Sequence, residues 1–246
     1  MLEKLFYPKS IAVIGASREE GKVGHSILKN LLRYGYPGKI YPINPKTDEI
    51  LRTRTYSTIF AVEGEIDLAV VAIPAKFVPS ILEDCPKKNI GAVIIISAGF
   101  KESGKQGSQL ERELVEIIKN SGMKVLGPNC LGIINTASSL NASFAAGMPS
   151  RGNIAFFSQS GALCTAVLDW ALEEDVGFSK FISLGNKADI DEVDLLVALA
   201  EDAETKVILG YLEGIEDGVR FMEVAREVSR KKPVIITKSA RTQAGA

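Results

Sequence analysis

The 246-residue sequence predicts an α/β fold of two domains, each built on a parallel sheet covered by helices. Two observations carry this reading. The apolar runs Leu68-Ala69-Val70-Val71-Ala72-Ile73 and Ala92-Val93-Ile94-Ile95-Ile96 are continuous rather than alternating, as in strands buried on both faces. Such runs alternate with stretches of helical spacing, and the strand–helix series breaks off near residue 130 and restarts after residue 152.

In the first series, residues 11–14 read as a short buried strand. A helix follows over 23–34, with Val23, Ile27, Leu28, Leu31 and Leu32 on one face. Strands are predicted at 40–44, 68–73, 92–97 and 124–126, with helices at 77–85 and 110–121. Right-handed crossovers then give a Rossmann-like layer over residues 1–130. Residues 136–152 are poor in aliphatic periodicity and rich in Ala, Ser, Asn, Gly and Pro, so residues 131–152 are taken as an interdomain linker. Residues 153–246 repeat the alternation. Strands at 154–157, 181–183, 207–212 and 233–237 are separated by helices at 161–174, 193–201 and 218–229, a flavodoxin-like series. It ends in the polar stretch from Ser239 to Ala246 with no closing helix, which reads as an incomplete domain.

An apolar share of 46% with 24% charged residues is that of a soluble globular chain rather than a disordered one. The formal net charge of −1 supplies no global field to recruit nucleic acid or an anionic membrane. The apolar runs are strand-length, and the N-terminus lacks a basic segment followed by a long apolar one. The expectation is a cytoplasmic protein with neither nucleic acid nor membrane as partner. Cys85, Cys130 and Cys164 form no CxxC pair, and with a single histidine they make no zinc set, so no metal site is expected. Cys85 and Cys164 read as small packing residues on helices. Asp189, Asp191 and Asp194 read as capping the helix that begins near Val193, with no glutamate at a calcium-loop position.

Two turns are built to meet anions. Ser158-Gln159-Ser160-Gly161-Ala162-Leu163 joins a strand to a helix start, where unpaired helix N–H groups point at whatever sits there, so Ser160, Gly161 and Ala162 are candidate phosphate contacts. Gly15, Ser17, Lys22 and Gly24 form a similar strand-to-helix turn near the N-terminus. It is not GxGxxG: Ser17 occupies the second glycine position and extra polar residues lengthen the loop, which also suits an ordinary βα connection. At the end of the second strand a dinucleotide site carries a carboxylate for the adenosine ribose. Here stands Tyr41-Pro42-Ile43-Asn44-Pro45-Lys46. Lys46 attracts a phosphorylated ribose, as in coenzyme A or NADP, and read alone it is equally a solvated turn lysine. Three further loops of small residues, carrying Pro74, Ser97 and Asn129, follow strand ends where ligands bind in such sheets.

Taken together, Ile11-Ala12-Val13-Ile14-Gly15-Ala16-Ser17, Pro42-Ile43-Asn44-Pro45-Lys46, Gly127-Pro128-Asn129-Cys130-Leu131-Gly132, Ser158 to Leu163 and Gly185-Asn186-Lys187-Ala188-Asp189 run the full length in order. In this combination the chain resembles the ADP-forming acyl-CoA synthetases, relatives of the succinyl-CoA synthetase α subunit. The resemblance implies that the first domain binds coenzyme A: the Ser17-to-Gly24 turn and Lys46 would contact its phosphates, and the loops at Pro74, Ser97 and Asn129 would line its pantetheine and thioester end. It implies that Ser160, Gly161 and Ala162 receive a phosphate carried on a histidine, with Glu213 as the carboxylate that orients that histidine. It further implies conversion of acyl-CoA, phosphate and ADP to acid, CoA and ATP. The ATP/ADP and magnesium site would come from an ATP-grasp β subunit or fused domain, within an oligomer.

One departure stands out. The sole histidine, His25, lies on the first helix, in the wrong domain for the phosphate carrier, and reads as a surface or cleft-wall residue. The family's reactive histidine follows a loop like Lys238-Ser239-Ala240-Arg241-Thr242-Gln243-Ala244-Gly245, where this sequence stops. The expectation is a chain that binds coenzyme A and forms no phosphohistidine by itself. Two alternatives stay open on the sequence: an NADP-dependent oxidoreductase with Lys46 on the 2′-phosphate, and a non-catalytic CoA-sensing or regulatory module of an acyltransferase.

Overall fold

Parallel strands with helical crossovers dominate the computed structural model, which describes residues 2–239. After a single helical turn α1 (Glu3–Phe6), the first domain runs β1 (Ser10–Ile14), α2 (Val23–Arg33), β2 (Lys39–Ile43), a small hairpin of β3 (Glu49–Ile50) and β4 (Thr53–Arg54), β5 (Leu68–Val71), α3 (Val78–Lys87), β6 (Ala92–Ile95), α4 (Lys105–Ser121) and β7 (Lys124–Leu126). Its five-stranded sheet has the order β2-β1-β5-β6-β7, parallel throughout. Every residue of β1, β5 and β6 is buried, as the continuous apolar runs require. The order reverses between β1 and β5, so the loops leaving those two strands diverge and open a crevice.

The second sheet has the order β13-β12-β10-β11-β8-β9. Its parallel part comprises β10 (Arg151–Ser158), β11 (Phe178–Ser183), β12 (Val207–Leu212) and β13 (Val234–Lys238), linked by α5 (Gly161–Glu173), α6 (Glu192–Glu201) and α7 (Gly218–Ser229). Asp191 caps α6 by accepting the N–H groups of Val193 and Asp194 at 2.8 and 2.9 Å, while Asp194 reaches back to the Asp191 N–H. Asp189 accepts instead from the Val125 N–H, at 2.8 Å. The expected polar terminal stretch lies, beyond Ser239, outside the described residues.

The stretch 131–152 differs from the connection expected of it. It supplies β8 (Gly132–Asn135) and β9 (Leu140–Ser143), and β8 pairs antiparallel with both β9 and β11. All eight residues of the two strands are buried, and β9 packs beneath α2 of the first domain. The short polar residues that made the stretch look like a loop are bound internally. Asn141 Nδ2 donates to the Gly147 carbonyl (3.0 Å), and Ser143 Oγ donates to Asn141 Oδ1 (2.6 Å). From α2, Asn30 Nδ2 donates to the Ser143 and Ala145 carbonyls at 2.9 and 2.8 Å. One apolar core therefore runs from Ile11, Leu28 and Leu31 through Ile133 and Leu140 to Phe157 and Leu196, and joins the two domains.

Candidate functional site: a cleft along two strand edges

The first turn is held open by glycine geometry and backbone ties. Gly15 leaves β1 at φ +91°, and a Cβ there would stand 2.3 Å from the Ala72 carbonyl oxygen. A Cβ on Gly24 would stand 1.9 Å from the Gly15 carbonyl oxygen, so both glycines let the start of α2 press against the strand ends. Ser17 Oγ accepts the Glu19 N–H at 3.0 Å, closing the turn on itself. His25 is buried at 5% exposure, against the surface or cleft-wall position expected, and its Nδ1 lies 2.9 Å from the Ser17 carbonyl. A carbonyl only accepts, so Nδ1 carries the proton in this bond. Lys22 precedes α2, which has no side-chain cap, and pairs loosely with Glu19 at 3.7 Å.

Asn44 stands where a dinucleotide site has its carboxylate, and it is structural glue. Its Nδ2 donates to the Ala16 carbonyl (2.7 Å) and its Oδ1 accepts the Lys46 N–H (2.8 Å). This fastens the second-strand loop to the first turn. Lys46 is exposed and makes no ion pair among the described residues. Gly15, Ser17, Lys22, Gly24, Lys46 and Pro74 together line a cleft of about 980 Å³.

A second section of about 430 Å³ is lined by Ser97, Asn129, Phe144, Gly161, Ala162 and Thr165, among others. Val23, Ala72 and Ile73 line both sections, so the two adjoin along the C-terminal ends of the first sheet. The Ser97 hydroxyl is committed to backbone: it donates to the Ile73 carbonyl at 2.6 Å and accepts the Ile73 N–H at 3.2 Å. It therefore shapes the Pro74 loop rather than presenting a free donor. Asn129, at φ +57°, receives support from the Ser97 carbonyl through its own N–H at 3.0 Å. Cys130 also lines this section, and burial pushes its thiol up, away from the thiolate form that a nucleophile uses.

At the far end, Ser160 caps α5 by accepting the Leu163 N–H at 3.4 Å, while the buried Ser158 Oγ accepts the Ser160 N–H at 3.0 Å. A Cβ on Gly161 would meet nothing within 4 Å. The protein itself does not require glycine there, and the missing side chain leaves the helix N-terminus clear. Glu213 is exposed, lines neither section, and directs its carboxylate to no partner among the described residues. Its backbone is tightly held. Gln159 Oε1 accepts the N–H groups of Glu213 (2.9 Å) and Gly214 (3.0 Å), and Lys238 Nζ donates to the Glu213 carbonyl (2.7 Å). Gln159 and Asn44 are functional positions that motif reading leaves without a role; their only signal in the sequence is a polar residue flanking a glycine turn. No group of three or more His, Cys, Asp or Glu side chains is placed to hold a metal among the described residues.

Residues 9–136 match the family described as CoA binding domain, and residues 151–246 match that described as succinyl-CoA ligase like flavodoxin domain. Over 245 residues the chain is 51% identical to the acetate–CoA ligase [ADP-forming] I of Archaeoglobus fulgidus, covering 100% of this chain and 36% of that protein. The chain belongs to the CoA-binding-domain family and along its whole length is like the α subunit of ADP-forming acetate–CoA ligases. It is also 49% identical over 249 residues to the α subunit of acetate–CoA ligase [ADP-forming] I of Pyrococcus furiosus, with 100% of this chain and 54% of that subunit covered. Among solved structures, the Ca. Korarchaeum cryptofilum dinucleotide forming acetyl-coenzyme A synthetase 1 in complex with phosphate and ADP aligns with a TM-score of 0.95 at 44% identity, covering 100% of this chain and 53% of that one. The chain thus spans about a third to a half of the length of these synthetase relatives.

Proposed function

We propose that this chain is the CoA-binding and phosphate-cradling part of an acid–CoA ligase that interconverts acyl-CoA, phosphate and ADP with acid, CoA and ATP. The observation that carries the reading is the adjoining pair of clefts, which leads from Lys46 along the strand ends to the open N-terminus of α5. A long, thin thioester with a phosphorylated ribose at one end fits the first section, with Lys46 and Lys22 on phosphate and the Pro74 loop along the pantetheine arm. Its reacting carbonyl then reaches Asn129, near Gly161 and Ala162. Inorganic phosphate bound at the α5 N-terminus attacks that carbonyl, giving acyl phosphate and free CoA thiol. The phosphoryl group next passes to a histidine, releasing the acid, and then to ADP. The helix N-terminus stabilises the transferring phosphoryl charge.

His25 is not that histidine: it is buried in the first turn, with its Nδ1 bound to the Ser17 carbonyl. The carrier histidine and the ADP site belong to residues outside this sequence, the latter to an ATP-grasp subunit or fused domain. Glu213 would accept a hydrogen bond from one ring nitrogen of the carrier and leave the other free to attack phosphorus. The test uses the whole enzyme containing this chain, supplied with acetyl-CoA, phosphate and ADP while free thiol is followed. Thiol release that requires phosphate, and that without ADP stops near one equivalent per site, supports the reading, and a loss of continued turnover in Glu213→Gln supports the role of that carboxylate. Thiol release indifferent to phosphate would contradict it.

A further inference from the structure

Asn186 and Lys187 are consecutive residues in the loop between β11 and α6, and their side chains engage opposite domains. Asn186 is buried, and its Nδ2 donates to Glu102 Oε2 and Glu111 Oε2, both at 2.7 Å. Its Oδ1 accepts from Asn129 Nδ2 at 3.3 Å, and its carbonyl accepts from Lys101 Nζ. Glu102 in turn accepts the N–H groups of Gly99 (2.6 Å) and Phe100 (3.0 Å), which closes the loop leaving β6 beside the cleft. One second-domain amide thus fastens the first-domain loop that follows Ser97.

Lys187 faces the other way. Its side chain is 4% exposed, its Nζ lies 2.9 Å from Glu192 Oε2 (3% exposed), and it donates to the Gly214 carbonyl at 2.8 Å. The residue holds φ +60°, a region that non-glycine residues occupy only where surrounding contacts fix them. A continuous path therefore links the amides of Gly99 and Phe100, through Glu102, Asn186 and Lys187, to the turn carrying Glu213. No side chain of the first domain is needed beyond Glu102 and Glu111 to make it.

We propose that Asn186 and Lys187 are positioning residues that keep the Glu213–Gly214 turn in register with the loop after β6, so that filling the first-domain cleft steadies the turn. The coupling to cleft occupancy rests on the CoA reading above; the positioning itself does not. The N–H groups of Glu213 and Gly214 report on it directly, because both are hydrogen-bonded only while the turn is in place.

The test is amide hydrogen exchange of the folded chain, free and with CoA at a concentration that calorimetry shows to saturate each variant. In the wild-type chain CoA is expected to slow exchange at Glu213 and Gly214 by about fivefold, and Asn186→Ala is expected to abolish that slowing. In the free chain, Asn186→Ala and Glu102→Gln are each expected to speed exchange at the same two amides by about fivefold while β10 amides stay unchanged. The Lys187→Met/Glu192→Leu pair removes the buried charges together, so that neither is left unpaired, and is expected to fold and to give the same local increase. Unchanged exchange at the turn in all three free variants would overturn the positioning role. Slowing of equal size in wild type and Asn186→Ala, or none in the CoA-bound wild type, would overturn the coupling. Failure of the wild-type chain to bind CoA would instead overturn the CoA reading and the coupling with it, with the free-chain arm still deciding the positioning role.

Discussion

Gln159 and Glu213 stand on neighbouring strand ends of the second sheet, and a single side-chain oxygen joins them. Gln159 Oε1 accepts the N–H of Glu213 at 2.9 Å and that of Gly214 at 3.0 Å, two residues before Gly161 opens α5. The turn that presents the Glu213 carboxylate and the turn that presents the phosphate cradle are thus one hydrogen-bonded unit.

Gln159→Ala removes the acceptor for both N–H groups. The expected cost is about 1–2 kcal/mol of stability, seen as a fall of a few degrees in Tm by thermal melting. In the whole enzyme the variant is expected to lose kcat more than KM for CoA, since its contacts lie at the turn and not in the CoA cleft. A pure KM effect would count against the assignment.

Gly161→Ala separates folding from binding. A Cβ at this position meets no protein atom within 4 Å, and alanine is the better helix former, so Tm should hold or rise. The added methyl stands at the open helix N-terminus, and phosphate affinity measured by calorimetry should fall about tenfold or more. Unaltered phosphate affinity would remove the cradle from the site.

The opposite end of the second sheet predicts the acid limit. Lys180, fully buried on β11, pairs with Asp202, whose other oxygen accepts from Tyr7 Oη at 2.7 Å; Thr205 donates to the paired oxygen. Burial pushes the Asp202 carboxyl up, but Lys180, Thr205 and Tyr7 outweigh it and hold it below the ordinary carboxylate value. A depressed carboxyl contributes stability that is complete above its unfolded value, near pH 4, and is lost as pH falls through the lower folded value. Asp202→Asn should therefore cost about 3–5 kcal/mol at pH 7, because it strands a buried ammonium, and should flatten the acid limb of a Tm-against-pH curve. An acid limb unchanged by the substitution would contradict this.

Lys46 is free of ion pairs among the described residues and stands on the cleft rim. Lys46→Glu is expected to weaken CoA about tenfold more than dephospho-CoA, because only the former carries the 3′-phosphate. Equal losses for both ligands would leave Lys46 as a solvated turn lysine.

Much of this architecture was legible from periodicity. The buried runs at β5 and β6 and the amphipathic α2 declare themselves because a sheet covered on both faces tolerates little polarity. β8 and β9 did not, because Asn135, Asn141 and Ser143 satisfy their polar groups inside the protein, and composition cannot distinguish a bonded asparagine from a solvated one. The candidate site divides the same way. Glycines at strand ends mark the loops, and Gly15, Gly24 and Gly161 all reach the cleft. What those loops do to one another, as in Asn44 on Ala16, Ser97 on Ile73 and Gln159 on Glu213, depends on partners far apart in sequence. His25 shows the same limit: its spacing on α2 says nothing of the Ser17 carbonyl that buries it.

The most direct test of the central claim is calorimetric titration of this chain with CoA, dephospho-CoA and NADPH in parallel. One site for CoA is expected, with weaker binding of dephospho-CoA and no heat with NADPH. Binding of NADPH in place of CoA would contradict it and restore the oxidoreductase reading of Lys46.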